Sequence, residues 1–177
     1  MANAILAEKG SDIWVVDLAR GTPTRLTFGG ANDNPIWSPD GRTIVYGGNK
    51  DGKPGLYKVP ADGSGPPQLI LATTEPVPTS FAPDGTALAF HQPGPGGRAR
   101  IMVLPLDAGG GTPTPRPLRE GSASDSEAQV SPDGKWMAFT LTESGRDGQP
   151  AGDQLVRRAA PPRAGEEVTR IIGTMAP

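Results

Sequence analysis

The chain contains no cysteine, which excludes disulfide staples, thiolate nucleophiles and cysteine-ligated metal sites. It holds a single histidine, His91, so a multi-histidine metal site is excluded as well. Long apolar runs are absent: stretches such as Ile13 to Val16 and Ile101 to Leu104 are far too short to cross a bilayer. The start, Met1 to Gly10, lacks a basic segment followed by an apolar stretch, so no export signal is read there. No segment carries the apolar period of a helix. Charge of one sign is also missing, with a formal net charge of −2 over 177 residues, which gives neither a basic field for nucleic acid nor an acidic tail. Arg157, Arg158, Arg163 and Arg170 are interrupted by Glu166 and Glu167 and have no aromatic stacking partners, so no nucleic-acid partner is expected.

Turn formers, by contrast, are plentiful: 25 glycines and 21 prolines. They gather between short apolar runs, as turns gather between strands. One turn recurs. Trp37-Ser38-Pro39-Asp40-Gly41 returns as Phe81-Ala82-Pro83-Asp84-Gly85 and as Val130-Ser131-Pro132-Asp133-Gly134, with the prolines 44 and 49 residues apart. Proline presets φ, aspartate bonds its own downstream amide and glycine accepts positive φ, so each copy reverses the chain between antiparallel strands.

An apolar strand follows each turn, at Thr43 to Tyr46, Ala87 to Phe90 and Trp136 to Phe139, which places Tyr46, Phe90 and Phe139 in one register. A second strand type reads Asp12 to Val16, Gly55 to Val59, Arg100 to Leu104 and, weakly, Asp153 to Val156. Closing strands follow at Thr24 to Thr27, Gln68 to Leu71, Arg116 to Arg119 and Val168 to Ile172. Four strands in a unit of about 45 residues are the pattern of a β-propeller blade. A β-sandwich also spaces short strands evenly, but gives no reason for Pro-Asp-Gly to return at one position of every unit. The expected fold is all-β, a partial β-propeller of about three and a half four-stranded blades. The expected division of residues 1–177 is a partial blade over 1–30, blades over 31–74 and 75–122, and a degenerate blade over 123–177.

These residues resemble the WD-like repeat of TolB-type propellers. Asp12-Ile13-Trp14-Val15-Val16-Asp17-Leu18 with Gly21-Thr22-Pro23-Thr24-Arg25-Leu26-Thr27, and Asn34-Pro35-Ile36-Trp37-Ser38-Pro39-Asp40-Gly41, are similar to the version found in C-terminal propellers of bacterial membrane serine/threonine kinases. Related repeats form the gating propellers of prolyl-oligopeptidase-type peptidases. The resemblance covers residues 11 to about 147 and implies a non-catalytic scaffold for protein or peptide ligands. It also implies a periplasmic or extracytoplasmic setting. Complete propellers hold more blades than this chain supplies, so self-association is expected, in the simplest form a dimer that closes the ring.

The resemblance places ligand contacts on loops at one rim of the blades, where this sequence offers Asn34, Asn49, Lys50, Asp51, Glu75, His91, Arg98, Glu127 and Arg146. Polar side chains on Gly-rich loops suit a binding surface, and equally suit plain solvated turns. No metal or cofactor is assigned. Asp33, Asp51, Asp125, Glu127 and Asp147 are oxygen donors of the kind calcium takes, but no Asp-x-Asp-x-Asp-Gly loop arranges them. The run Gly94-Pro95-Gly96-Gly97 is not followed by Lys-Ser/Thr or by a helix, so it is no phosphate loop. No catalytic residue is assigned either. The enzymatic alternative is a small propeller hydrolase, lactonase or esterase in type, working through His91 and neighbouring carboxylates, without a Gly-x-Ser-x-Gly elbow to support it. A third reading is a truncated propeller without independent function.

Overall fold

The computed structural model describes the backbone of residues 2–7, 10–106, 113–119, 123–142 and 155–158. The expected closing strand at Val168 to Ile172, and Arg146 with Asp147, lie outside these residues. Among the described residues every regular element is a strand, apart from one turn of 3-10 helix at Pro95–Gly97 in the glycine-rich loop. No helix there is long and apolar enough to cross a membrane. The fold is the all-β partial propeller that the repeat implies.

The chain forms two compact units, Met1–Pro78 and Thr79–Pro177. The first begins with an antiparallel sheet of β1 (Ala2–Ala7), β2 (Gly10–Asp17) and β3 (Thr22–Arg25). A four-stranded meander follows: β4 (Ala31–Trp37), β5 (Thr43–Lys50), β6 (Lys53–Pro60) and β7 (Gln68–Ala72). One parallel pairing, Ser11 with Ala31, joins the two. The strand β8 (Val77–Phe81) crosses the boundary and leads the next meander, with β9 (Ala87–Pro93), β10 (Ala99–Pro105) and β11 (Arg116–Pro117) in the order β11-β10-β9-β8. A three-stranded sheet closes the second unit: β12 (Ser124–Val130), β13 (Met137–Thr142) and β14 (Leu155–Arg158).

The repeated turn owes its shape to local hydrogen bonds. Ser38 Oγ donates to Asp40 Oδ1 (2.6 Å) and accepts from Thr43 N–H (3.0 Å), while Asp40 Oδ1 accepts from Arg42 N–H (3.0 Å). Ser131 and Asp133 repeat this arrangement with Lys135 and Trp136. Where Ala82 replaces the serine, Thr86 supplies the hydroxyl, donating to Asp84 Oδ1 at 2.8 Å. The serine hydroxyls hold Asp40 and Asp133 below the usual carboxylate range, and the Thr86 amide and hydroxyl do the same for Asp84. Gly41, Gly85 and Gly134 take φ values of 68°, 76° and 69°, the left-handed conformation that the turn requires.

The strands that follow the first two turns are buried at consecutive positions, Ile44 to Gly47 and Ala87 to Phe90, as a strand covered on both faces must be. Within each unit the apolar side chains of successive meanders meet in one cluster. In the first, Ile13 and Leu26 pack against Ile44, Tyr46, Tyr57 and Val59, and the Tyr46 and Tyr57 rings stack 5.8 Å apart. In the second, Ile101 and Leu118 occupy the places of Ile13 and Leu26 and meet Ala87, Ala89, Ala128 and Met137. Each such Ile or Leu contributes about 1.5–3 kcal/mol by leaving water.

Candidate functional site

Alternation along β4 and β5 decides which residues meet. Successive side chains of a strand point to opposite faces, and the register pairs Ala31 with Asn49, Asn32 with Gly48 and Asp33 with Gly47. Asp33, Gly47 and Asn49 therefore share one face of the hairpin, and Asn32, Tyr46 and Lys50 share the other. A bulge between Asp33 and Ile36 turns Asn34 into the left-handed region at φ 55° and lifts it to the rim.

On the first face lies an open cleft of about 300 Å³ whose lining includes Asp33, Asn34, Gly47, Asn49, Glu75 and Pro76. Gly47 makes the close fit possible, since a Cβ there would stand 2.2 Å from the Pro76 carbonyl oxygen. Pro76 is buried and Glu75 beside it is exposed, with φ at 44°. A glutamate in that conformation costs about 1–3 kcal/mol, a cost that surrounding structure must hold in place. The cleft thus presents two carboxylates and two side-chain amides, with no basic side chain in its lining.

The other expected contacts fall elsewhere. Lys50 lines a cleft on the opposite face of the hairpin. Asp51 sits in the β5–β6 turn at φ 53° followed by Gly52 at φ 74°, an Asp-Gly pair of the kind a two-residue hairpin needs. In the second unit Arg98 is exposed beside the 3-10 turn, where its carbonyl accepts from Gly94 N–H (2.7 Å). Glu127 repeats the bulge of Asn34, with φ at 57°, and its Oε2 accepts from Thr140 Oγ (3.1 Å).

His91 is half-buried in β9 opposite Ile101, and its Nδ1 is shut off from water without a hydrogen-bond partner. Burial pushes its pKa down, while Glu127 and Asp125 nearby pull in the opposite direction. Among the described residues no three His, Asp or Glu side chains are placed to hold a metal ion.

Three buried polar residues, Asp12, Asn32 and Asp125, carry much of the local order, and of these the sequence marks Asp125 only as an oxygen donor of the kind calcium takes. Asp12 accepts from Thr27 Oγ1 (2.9 Å) and Gly29 N–H (3.0 Å) and pairs with Arg25. Asn32 Nδ2 donates to the carbonyls of Ser11 and Gly29, both at 3.0 Å. Asp125 accepts from Ile101 N–H (3.2 Å) and pairs with Arg119 at 3.2 Å. Asn32 and Asp125 share a position, each two residues before its bulge.

Comparison with known proteins places this architecture. A 54-residue stretch is 44% identical to an uncharacterized protein of Agrobacterium fabrum, taking in 30% of this chain and 18% of that protein. A 63-residue stretch is 38% identical to the Tol-Pal system protein TolB of Syntrophus aciditrophicus, taking in 34% of this chain and 13% of the relative. Both matches therefore span less than a fifth of the curated relatives' own lengths. Among solved structures, TolB of Acinetobacter baumannii superposes with a TM-score of 0.66 at 22% identity, over 90% of this chain and 40% of that one, a likeness of fold. Residues 1–111, which hold the first two copies of the turn, match the TolB beta propeller domain, and the chain belongs to that family.

Proposed function

We propose that this chain is a non-catalytic binding scaffold that recognises a protein or peptide segment through the loops at one rim of its sheets. The observation that carries the reading is the cleft of Asp33, Asn34, Asn49 and Glu75. The amides of Asn34 and Asn49 can donate and accept, as an extended peptide backbone requires. The carboxylates of Asp33 and Glu75 favour a ligand that brings a lysine, an arginine or an amino terminus. Two strained residues, Asn34 and Glu75, stand at this rim, and strain of that kind gathers at ligand clamps.

The same reading divides the chain into a partial blade over 1–30, blades over 31–74 and 75–122 and a degenerate blade over 123–177. Lys50, Asp51, His91, Arg98, Glu127 and Arg146 then serve as the remaining rim contacts, the scaffold self-associates to complete its ring, and its setting is periplasmic or extracytoplasmic. A positional peptide array probed with the full chain tests the binding role. Peptides bearing Lys or Arg should be retained, and the double variant Asp33→Asn, Glu75→Gln should lose at least tenfold in affinity for them. Retention unchanged in that variant, or no peptide retained above background, would overturn the proposal.

A further inference from the structure

Six Asp-Gly pairs stand in the sequence. Five lie in described turns: Asp40-Gly41, Asp51-Gly52, Asp62-Gly63, Asp84-Gly85 and Asp133-Gly134. Asp147-Gly148 lies outside the described residues. This dipeptide is open to backbone rearrangement, because glycine has no side chain to block its own amide nitrogen from turning on the preceding carboxyl carbon. The reaction needs both the amide and the carboxyl group to be free.

In four of the five turns both are engaged. The amides of Gly41, Gly63, Gly85 and Gly134 donate to the carbonyls of Ser38 (2.9 Å), Pro60 (3.1 Å), Ala82 (2.9 Å) and Ser131 (2.8 Å). The carboxylates are held too. Asp40 accepts from the Ser38 hydroxyl and the Arg42 amide, and Asp62 from the Ser64 amide. Asp84 accepts from the Thr86 amide and hydroxyl, and Asp133 from the Ser131 hydroxyl and the Lys135 amide. These bonds keep all four acids below the usual carboxylate range, so little of the protonated form is present to lose its hydroxyl as water.

Asp51-Gly52 is built differently. Its two residues are the whole loop between β5 and β6, and the turn closes through the flanking pair, Lys50 with Lys53. Among the described residues, neither the Gly52 amide nor the Asp51 carboxylate has a hydrogen-bond partner, and Asp51 makes no ion pair. Both residues are exposed, and no atom lies within 4 Å of the place where Gly52 would carry a Cβ.

We propose that Asp51-Gly52 is a modification site, at which the folded chain forms isoaspartate without an enzyme. The Gly52 nitrogen attacks Asp51 Cγ and gives up its proton, and the carboxyl hydroxyl leaves as water, closing a succinimide ring. Water then opens either ring carbonyl. Opening at Cγ restores aspartate, whereas opening at the main-chain carbonyl leaves the chain running through Cγ with a free α-carboxylate. One water leaves and one returns, so no co-reactant is required. The new link is one backbone atom longer, and a two-residue turn that must close Lys50 on Lys53 has no room for it. The β5–β6 turn opens, two residues from Asn49 of the rim cleft. The assignment does not depend on what that cleft binds.

The test is to age the full chain at mildly acidic pH in heavy-oxygen water and map its peptides by electron-transfer fragmentation. Isoaspartate carrying one heavy oxygen should accumulate at Asp51 at least tenfold faster than at Asp40, Asp62, Asp84 or Asp133. In denaturant the five pairs should react at similar rates, which assigns the difference to the fold. Asp51→Asn should yield the same isoaspartyl product faster, with ammonia as the leaving group. Amide hydrogen exchange at Lys53 should rise at least tenfold in the isomerised chain. Equal rates at all five pairs in the folded chain, or isoaspartate at Asp51 only after unfolding, would overturn the proposal. Unchanged exchange at Lys53 would overturn the opening of the turn.

Discussion

Asn32 in the first unit and Asp125 in the second occupy one position of the repeat, and they hold neighbouring sheets together with opposite polarity. Asn32 donates, sending its Nδ2 hydrogens to the carbonyls of Ser11 and Gly29. Asp125 accepts, taking the Ile101 amide and the Arg119 guanidinium. The carboxylate that partners arginine moves accordingly. It is Asp12 on β2 in the first unit and Asp125 on β12 in the second. The place in the fold requires a buried polar clasp, but not a particular donor or acceptor. Each clasp works because its partners match it in polarity, since a buried polar group left alone costs far more than a satisfied one returns.

Exchanging the polarity should therefore fail in each unit. The largest effect is expected for Asp125→Ala, which breaks the ion pair with Arg119 and removes the acceptor of the Ile101 amide, and should destabilise the second unit by about 2 kcal/mol, read from urea denaturation. Asn32→Asp points a carboxylate at two carbonyls, and about 2 kcal/mol should be lost at neutral pH. Much of that loss should return on acidification below about pH 4, where the carboxyl regains a proton to donate. A loss that stays constant with pH would show that the clasp does not act through its hydrogen.

The smallest effect concerns His91, which faces Asp125 and Glu127. Its pKa in the folded chain lies below the ordinary 6.5 because burial disfavours the charged ring. The unfolded chain then binds the proton more readily, so stability is fully present above pH 6.5 and declines as pH falls through that value. Comparing denaturation midpoints at pH 7.5 and 5.5 in wild type and His91→Gln isolates the term. The variant should show the smaller drop, and an equal drop in both would remove His91 as its source.

Much of the fold was legible because its signals are local. The Ser-Pro-Asp-Gly turn closes on its own hydroxyl, carboxylate and amides, so five residues suffice to mark it, and its recurrence gave the strand order. The candidate site was less so. Loop polarity groups Asn34, Asn49, Lys50 and Glu75 together, whereas the structure lines one cleft with Asn34, Asn49 and Glu75 and another, on the opposite face of the hairpin, with Lys50. Loop polarity gave no weight to Gly47, whose missing side chain admits Pro76 from 29 residues further along the chain.

The sequence by itself determined the turns, the strands and the repeat, since each depends on dihedral preferences and hydrogen bonds within a few residues. The tertiary structure alone decided that Asn32, Asp12 and Asp125 are buried clasps, and that one hairpin lines a different cleft on each of its two faces. Burial and proximity between sheets depend on which distant strands stack, and no short stretch of residues encodes that.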